Sequence, residues 1–84
     1  MAELVRNARQ IGAVIRRRRQ ALEMSQTDLA ARVGVRQATI SIVENGNPAA
    51  RIATLLDILA ALDLELDVVP RSQGSADEIE SLFR

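Results

Sequence analysis

Residues 26–45 read QTDLAARVGVRQATISIVEN and carry the clearest structural signal in the chain. Ala30 follows Gln26 by four positions, and its small side chain lets a second helix pack closely across the first. Gly34 follows Gln26 by eight positions and can adopt the left-handed conformation that ends a helix. The apolar contacts that would set the angle between two such helices come from Leu29, Val33, Val35, Ile40 and Val43.

The second of these predicted helices keeps short polar side chains for its exposed surface. These are Arg36, Gln37, Thr39 and Ser41. Side chains of this kind at the N-terminal end of a helix suit entry into the major groove of DNA. The pattern therefore predicts a helix-turn-helix motif that binds duplex DNA.

Length and composition predict one small domain with further surface to bury. The chain has 84 residues, of which 48% are apolar, and so short a chain buries only a modest core by itself. We expect part of this apolar surface to pack against a second copy. The longest apolar stretch, residues 52–66, is interrupted by Asp57, Asp63 and Glu65, and the N-terminus lacks the apolar core of a signal peptide. With no cysteine, the expected location is a reducing cytoplasm.

The residue types that are missing argue against an enzyme. Histidine, cysteine, tryptophan and tyrosine are absent, so the usual general base and the soft metal ligands are absent too. No nucleophile motif or phosphate-binding glycine loop occurs, and we expect no catalytic residue, metal or cofactor. Phe83 is the sole aromatic residue, whereas proteins that read single strands stack bases on aromatic rings. This favours duplex DNA as the ligand.

The charges are divided between the two halves of the chain. Residues 1–51 contain nine arginines and four acids, a balance of +5, and residues 52–84 contain two arginines and seven acids, a balance of −5. The total is zero, but the local field around the predicted motif is positive. A local positive field is what attracts phosphate.

The apolar pattern predicts four helices. The first spans about residues 7–22 with Asn7 as N-cap, and Arg16, Arg17 and Arg18 form a solvated face on it. The second begins at the capping box of residues 25–28 and ends near residue 32. The third spans about residues 37–44. The fourth spans about residues 52–62, with a broad apolar face of Ile52, Leu55, Leu56, Leu59 and Leu62.

After the fourth helix the period changes. Leu64, Leu66 and Val68 alternate with acidic residues until Pro70, which is typical of a strand. A lone strand needs a partner for its backbone, and we favour the same strand from a second copy, paired antiparallel across a two-fold axis. The alternative is an extended tail lying on the fourth helix.

These elements divide the chain into three parts. Residues 1–6 are an N-terminal extension, residues 7–70 are the DNA-binding and dimerisation domain, and residues 71–84 are a flexible tail. Within the tail, Ile79, Leu82 and Phe83 fit one face of a short fifth helix. They either dock into a partner or belong to an inert tail.

Residues 8–70 resemble the Cro and phage-repressor family of helix-turn-helix domains, and within it the HipB-type antitoxins. The resemblance rests on Ser25-Gln26, Leu29-Ala30, Gly34, the stretch RQATIS at residues 36–41 and Glu44-Asn45. It also rests on LDLELDVV at residues 62–69, a fourth helix running into a short strand. The fold class it implies is all-α, with four or five helices and one C-terminal strand shared across a homodimer.

The resemblance also implies a function. Two recognition helices of a dimer would enter successive major grooves of an inverted repeat, roughly 34 Å apart. HipB-type proteins imply a partner, a HipA-type serine/threonine kinase toxin, which the antitoxin neutralises while it represses their shared operon. They also imply a bacterial cytoplasm as the location, at the nucleoid when the operator is bound. An internal ion pair between Arg19 and Glu44 is implied as well, and it would orient Arg19 toward a phosphate.

Three sets of site residues follow. Gln37 is the first expected base contact, since its amide can bond adenine N6 and N7 together. Arg36 stands where this fold usually has a Ser or Thr cap, and it reaches either a guanine edge or a phosphate. The predicted DNA-binding residues are Arg19, Ser25, Gln26, Thr27, Arg36, Gln37, Ala38, Thr39, Ser41 and Asn45.

Ile42 either lines the groove or packs on a neighbour. The predicted dimer interface comprises Ile58, Leu62, Leu64, Leu66 and Val68, although packing within one subunit is an equal alternative for Ile58 and its neighbours. Ile79, Leu82 and Phe83 are the predicted contacts to a kinase. Two alternative functions remain open at this point: a stand-alone regulator without a toxin, and a protein-interaction module that does not bind DNA.

Overall fold

The computed structural model describes residues 3–71, and this part of the chain contains four α-helices. They are α1 (Ala8–Ala21), α2 (Gln26–Val33), α3 (Gln37–Glu44) and α4 (Ile52–Ala61). All four helices were predicted, and their ends agree with the prediction to within one residue. Residues 72–84 lie outside the described part, and with them the predicted fifth helix and the contacts of Ile79, Leu82 and Phe83.

The helix ends follow from local capping chemistry. The Asn7 side chain accepts a hydrogen bond from the Gln10 backbone N–H at 2.8 Å and so begins α1. At α2, the Ser25 hydroxyl accepts from the Asp28 N–H while the Asp28 carboxylate accepts from the Ser25 N–H, both at 2.9 Å. This is the predicted capping box. Gly34 ends α2 in the left-handed conformation at φ 86°, which a side chain would strain.

The core draws one or more apolar side chains from every helix. Ile15, Leu29, Ile40, Ile58 and Leu62 have no solvent exposure, and Ala30, Val43 and Leu59 are also buried. Fully burying a side chain of this size contributes about 1.5–3 kcal/mol. The core therefore fixes α2 and α3 against α1 and α4.

The exposed side of α4 differs from the prediction. Ile52 is 73% exposed and Leu56 is 45% exposed, whereas Ile58 is fully buried. Ile58 and Leu62 pack in the core of one protomer and have no surface left for a second copy. Their assignment to the dimer interface is therefore corrected, and the alternative, packing within one subunit, holds for both. The side of α4 that faces the core includes Ile58, whereas the predicted side included Ile52.

Two contacts of α1 were not anticipated. Gly12 lies against the end of α3 so closely that a Cβ atom there would stand 2.5 Å from the Val43 carbonyl oxygen and 2.7 Å from that of Glu44. Arg18, predicted to be solvated, instead donates from Nε to the Leu62 carbonyl oxygen at 3.0 Å and satisfies the end of α4. The close approach to α3 requires glycine at position 12. The hydrogen bond of Arg18 joins α1 to the end of α4.

Residues 64–70 form neither helix nor strand in the single chain. Leu64 packs partly against the core, and its N–H donates to the Leu59 carbonyl oxygen at 2.8 Å. Leu66, Val68 and Val69 are 59%, 89% and 55% exposed. A strand is defined by a partner strand, so the predicted pairing with a second copy stays a prediction.

Candidate DNA-binding surface

Helix α3 turns one face into the core and leaves the other free. Ile40, Val43 and Glu44 are buried. The helical period of 3.6 residues therefore places four other side chains on the opposite, outward face. They are Ala38, Ser41, Ile42 and Asn45, of which Ser41 is half-buried and the others are exposed.

Arg36 occupies the N-cap position of α3, as predicted, and its side chain makes no capping hydrogen bond. Its backbone is extended, with φ −77° and ψ 151°, and its carbonyl oxygen accepts from the Thr39 N–H at 3.0 Å. The exposed guanidinium is therefore not needed for the helix start. The positive charge of Arg36 therefore lies at the N-terminal end of α3, next to Gln37.

Arg19 and Glu44 form an ion pair that joins α1 to the end of α3, as the family resemblance implied. Arg19 Nε donates to Glu44 Oε2 at 2.6 Å and Nη2 donates to Oε1 at 3.0 Å, while Nη1 donates to the Met24 carbonyl oxygen at 2.7 Å. The side chains are 11% and 2% exposed. The hydrogen bonds to Glu44 raise the pKa of Arg19 above its ordinary value. A phosphate contact of Arg19 stays a prediction, since its main observed contacts are internal.

The ion pair continues into two glutamines at the surface. Gln26 Nε2 donates to Glu44 Oε1 at 3.1 Å, and Gln37 Nε2 donates to Gln26 Oε1 at 2.5 Å. A carboxylate only accepts hydrogen bonds, so Gln26 must turn its NH2 group inward and its oxygen toward Gln37. The direction of the whole chain of bonds is thus set by the buried charge of Glu44.

This polarity leaves Gln37 ready to read a base. One hydrogen of its Nε2 is used by Gln26, which leaves the second hydrogen and Oε1 free. Adenine offers an acceptor, N7, beside a donor, N6–H, in the major groove. The prediction from sequence found Gln37 and Gln26 separately. Their bond to each other was missed, because residues eleven positions apart meet here only through the crossing of α2 and α3.

The start of α2 lies beside the start of α3, since Gln26 bonds Gln37. Ser25 and Thr27 are exposed there. The Ser25 backbone N–H lowers the pKa of the Asp28 carboxyl, and the Ser25 side chain lowers it further. Farther along α3, Asn45 Nδ2 donates to Ser41 Oγ at 3.4 Å. The Ser41 hydroxyl hydrogen stays available for a phosphate or a base edge.

Residues 3–71 contain neither a grouping of metal ligands nor a helix that could cross a membrane. Within this range no three His, Cys, Asp or Glu side chains are grouped so that they could hold a metal ion. No helix of the described chain is both long and apolar enough to cross a membrane.

The geometry of α2, the turn and α3 agrees with a known family. A family model described as helix-turn-helix matches residues 15–69. The chain belongs to the helix-turn-helix family. The uncharacterized HTH-type transcriptional regulator y4dL of Sinorhizobium fredii (strain NBRC 101917 / NGR234) is 40% identical over 57 residues, which is 68% of this chain. The chain spans 29% of the length of that relative.

Solved structures of HipB resemble this fold over most of both chains. The HipB-O4 20mer complex has a TM-score of 0.76 at 28% identity and covers 81% of this chain and 96% of that one. The HipA-HipB-O2-O3 complex has a TM-score of 0.74 at 30% identity, with coverage of 81% and 96%. The predicted resemblance to HipB-type proteins is confirmed. These similarities support DNA binding and transcription regulation as the role of the helix-turn-helix domain.

Proposed function

We propose that this protein is a sequence-specific repressor that binds an inverted-repeat operator as a homodimer, and that it is the antitoxin of a HipA-like kinase. The observation that carries the DNA-binding part is the hydrogen-bonded chain from Arg19 through Glu44 and Gln26 to Gln37. It holds a base-reading amide at the exposed N-terminal end of α3, in a fold similar to that of the HipB-O4 20mer complex.

The rest of the DNA contact is divided by chemistry. Base edges fall to Gln37 at the N-terminal end of α3, and to Ala38, Thr39 and Ser41 farther along the helix. The backbone phosphates fall to Ser25, Gln26 and Thr27 at the start of α2, where helix amides favour an anion, with Arg19, Arg36 and Asn45 beside them. Phosphate contacts position the protein, and base contacts select the sequence.

The dimer is supported by apolar surface that one protomer leaves uncovered. Leu66, Val68 and the half-buried Leu64 follow one another at alternate positions beyond α4. Ile52 and Leu56 add an exposed apolar edge one turn apart on α4 itself. We propose that residues 64–69 of two copies pair as antiparallel strands and that this sheet, with the edge of α4, places two α3 helices in successive grooves.

The antitoxin role is supported by the similarity to HipB in the HipA-HipB-O2-O3 complex. We propose a HipA-like kinase as the partner, in the bacterial cytoplasm, with Ile79, Leu82 and Phe83 as its docking residues. Expression of this protein beside its genomic neighbours, followed by identification of the proteins that copurify, tests this role. Recovery of a kinase of this type supports it, and a failure to retain a coexpressed HipA-like neighbour contradicts it.

A stand-alone regulator is the second candidate, favoured by the relative y4dL, which is named as a transcriptional regulator. DNA binding itself is tested by gel shifts on the protein's own promoter over a salt series. Several phosphate contacts predict an affinity that falls steeply as the salt concentration rises. A protein-interaction module without DNA binding would give no shift at any salt concentration.

A further inference from the structure

Ile42 is a large apolar side chain at the centre of the outward face of α3. It is 46% exposed, although the other isoleucine of this helix, Ile40, is fully buried. Ala38 lies one turn before it and is exposed as well. Residues i and i+4 are neighbours on a helix surface, so the two side chains form a short apolar stripe.

Polar groups border this stripe on the side nearer Gln37. Ser41 and Asn45 are bonded to each other through Asn45 Nδ2 and Ser41 Oγ, and they flank Ile42 along the helix. On the other side, Ile42 joins Val35 and Thr39 as part of the wall of a shallow depression of about 400 Å³. The apolar stripe therefore sits within the surface assigned to DNA.

We propose that Ile42, together with Ala38, reads thymine in the operator through its 5-methyl group. This inference rests on the proposed function, in which α3 enters the major groove. The thymine methyl is the apolar feature that base pairs present there, whereas cytosine presents an amino donor at the neighbouring edge. An isoleucine placed against that donor leaves it without a hydrogen-bond partner, which disfavours cytosine.

The spacing along α3 locates the thymine. Gln37 and Ile42 are five residues apart, which corresponds to about 7.5 Å along a helix axis. Successive base pairs are about 3.4 Å apart along the axis of the duplex. The thymine read by Ile42 thus lies about two base pairs from the base read by Gln37 when the helix follows the groove.

The test uses the full chain and a footprinted duplex from upstream of its own gene. Each thymine of one half-site is replaced in turn by deoxyuridine, which removes the methyl group alone. We expect about a fourfold loss of affinity at one or two positions, the value of one buried methyl group. Ile42→Ala is expected to bind the unmodified duplex more weakly and to lose discrimination between thymine and uracil at those positions.

Leu4→Ala is the matched control, because Leu4 is another exposed aliphatic residue, 63% exposed, and lies outside α3. It should keep the wild-type ratio of thymine to uracil affinity. Circular dichroism checks that each variant is folded, and Ile42→Val should give an intermediate ratio. If uracil is tolerated at every position, or if Ile42→Ala keeps the wild-type ratio, thymine reading is overturned while DNA binding stands. If no duplex is bound at all, the proposed function fails, and thymine reading fails with it.

Discussion

The helix pair α2–α3 and the segment of residues 64–71 differ in where their apolar side chains find partners. In the helix pair, Leu29 and Ile40 are fully buried within one protomer. In the segment, Leu66 and Val68 are 59% and 89% exposed. The helix pair is complete in one chain and can present a polar surface to DNA. The segment has apolar contacts still to make, which a second chain can supply.

Breaking the buried ion pair should have the largest effect on the helix pair. Glu44→Ala leaves the Arg19 guanidinium without its carboxylate, and we expect a loss of about 3–5 kcal/mol in the free energy of unfolding. Chemical denaturation monitored by circular dichroism measures it.

The matched control is the exposed pair of Glu3 and Arg17, whose side chains are 55% and 60% exposed. Glu3→Ala should cost no more than about 1 kcal/mol. Equal losses for the two variants would mean that the buried pair contributes no more than a surface contact.

A substitution in the segment of residues 64–71 should weaken the dimer and leave the fold of each protomer intact. Leu66→Asp places a charge on the predicted dimer surface, and since burying each leucine contributes about 2 kcal/mol, we expect the dimer to weaken by well over tenfold. The helical content should stay unchanged. Sedimentation velocity at several protein concentrations measures the dissociation.

Glu65→Gln provides the control for this variant, because alternation places residue 65 on the other side of the strand. It should leave the dimer intact. A dimer that persists in Leu66→Asp would refute the pairing of two strands here.

Gln37→Ala tests the surface that the helix pair presents to DNA. We expect operator binding to weaken by about 1–3 kcal/mol with no change in folding or dimerisation, because the amide contacts a base and the helix core is untouched. Titration of the operator duplex measures the loss. Gln20→Ala, at an exposed position of α1, should bind like the wild type. An unchanged affinity for Gln37→Ala would remove Gln37 from the base contacts.

The smallest effect concerns the start of α2. The folded-state pKa of Asp28 is lowered, so its contribution to stability is present above the ordinary aspartate pKa, about 4, and is lost as the pH falls through the lower folded value. Asp28→Asn should therefore flatten the acid limb of the stability curve. Carboxyl NMR shifts of Asp28 measure the pKa directly, and in Ser25→Ala the pKa should move back toward its ordinary value. A pKa that does not respond to Ser25→Ala would refute a contribution from the Ser25 side chain.

The helices were predictable because their signals are local. Asn7, the capping box of Ser25 and Asp28, and the left-handed Gly34 each act within a few residues of the helix end that they define. The exposed character of Ala38 followed from the same helical period that buries Ile40. These features depend only on residues a few positions away in the chain and on the helical period, and both can be read from the sequence.

Gly12 had a weak signal, a glycine inside an otherwise regular helix. Its role depends on the backbone of α3, which is some thirty residues away in the chain, and the sequence carries no mark of that approach. The side of α4 that faces the core was misjudged for a related reason. Ile52 and Ile58 are equally apolar, and the packing of α4 against the other helices decides that Ile58 is buried.

Local sequence signals were enough to place the ends of the helices, to identify the exposed face of α3 and to predict a helix-turn-helix protein. Only the packing of the helices shows that Glu44, held by Arg19, orients Gln26 and through it Gln37. The reason is physical. Hydrogen-bond direction is set by which atoms meet, and these four side chains, spread over residues 19–44, meet only when α1, α2 and α3 cross around a common core.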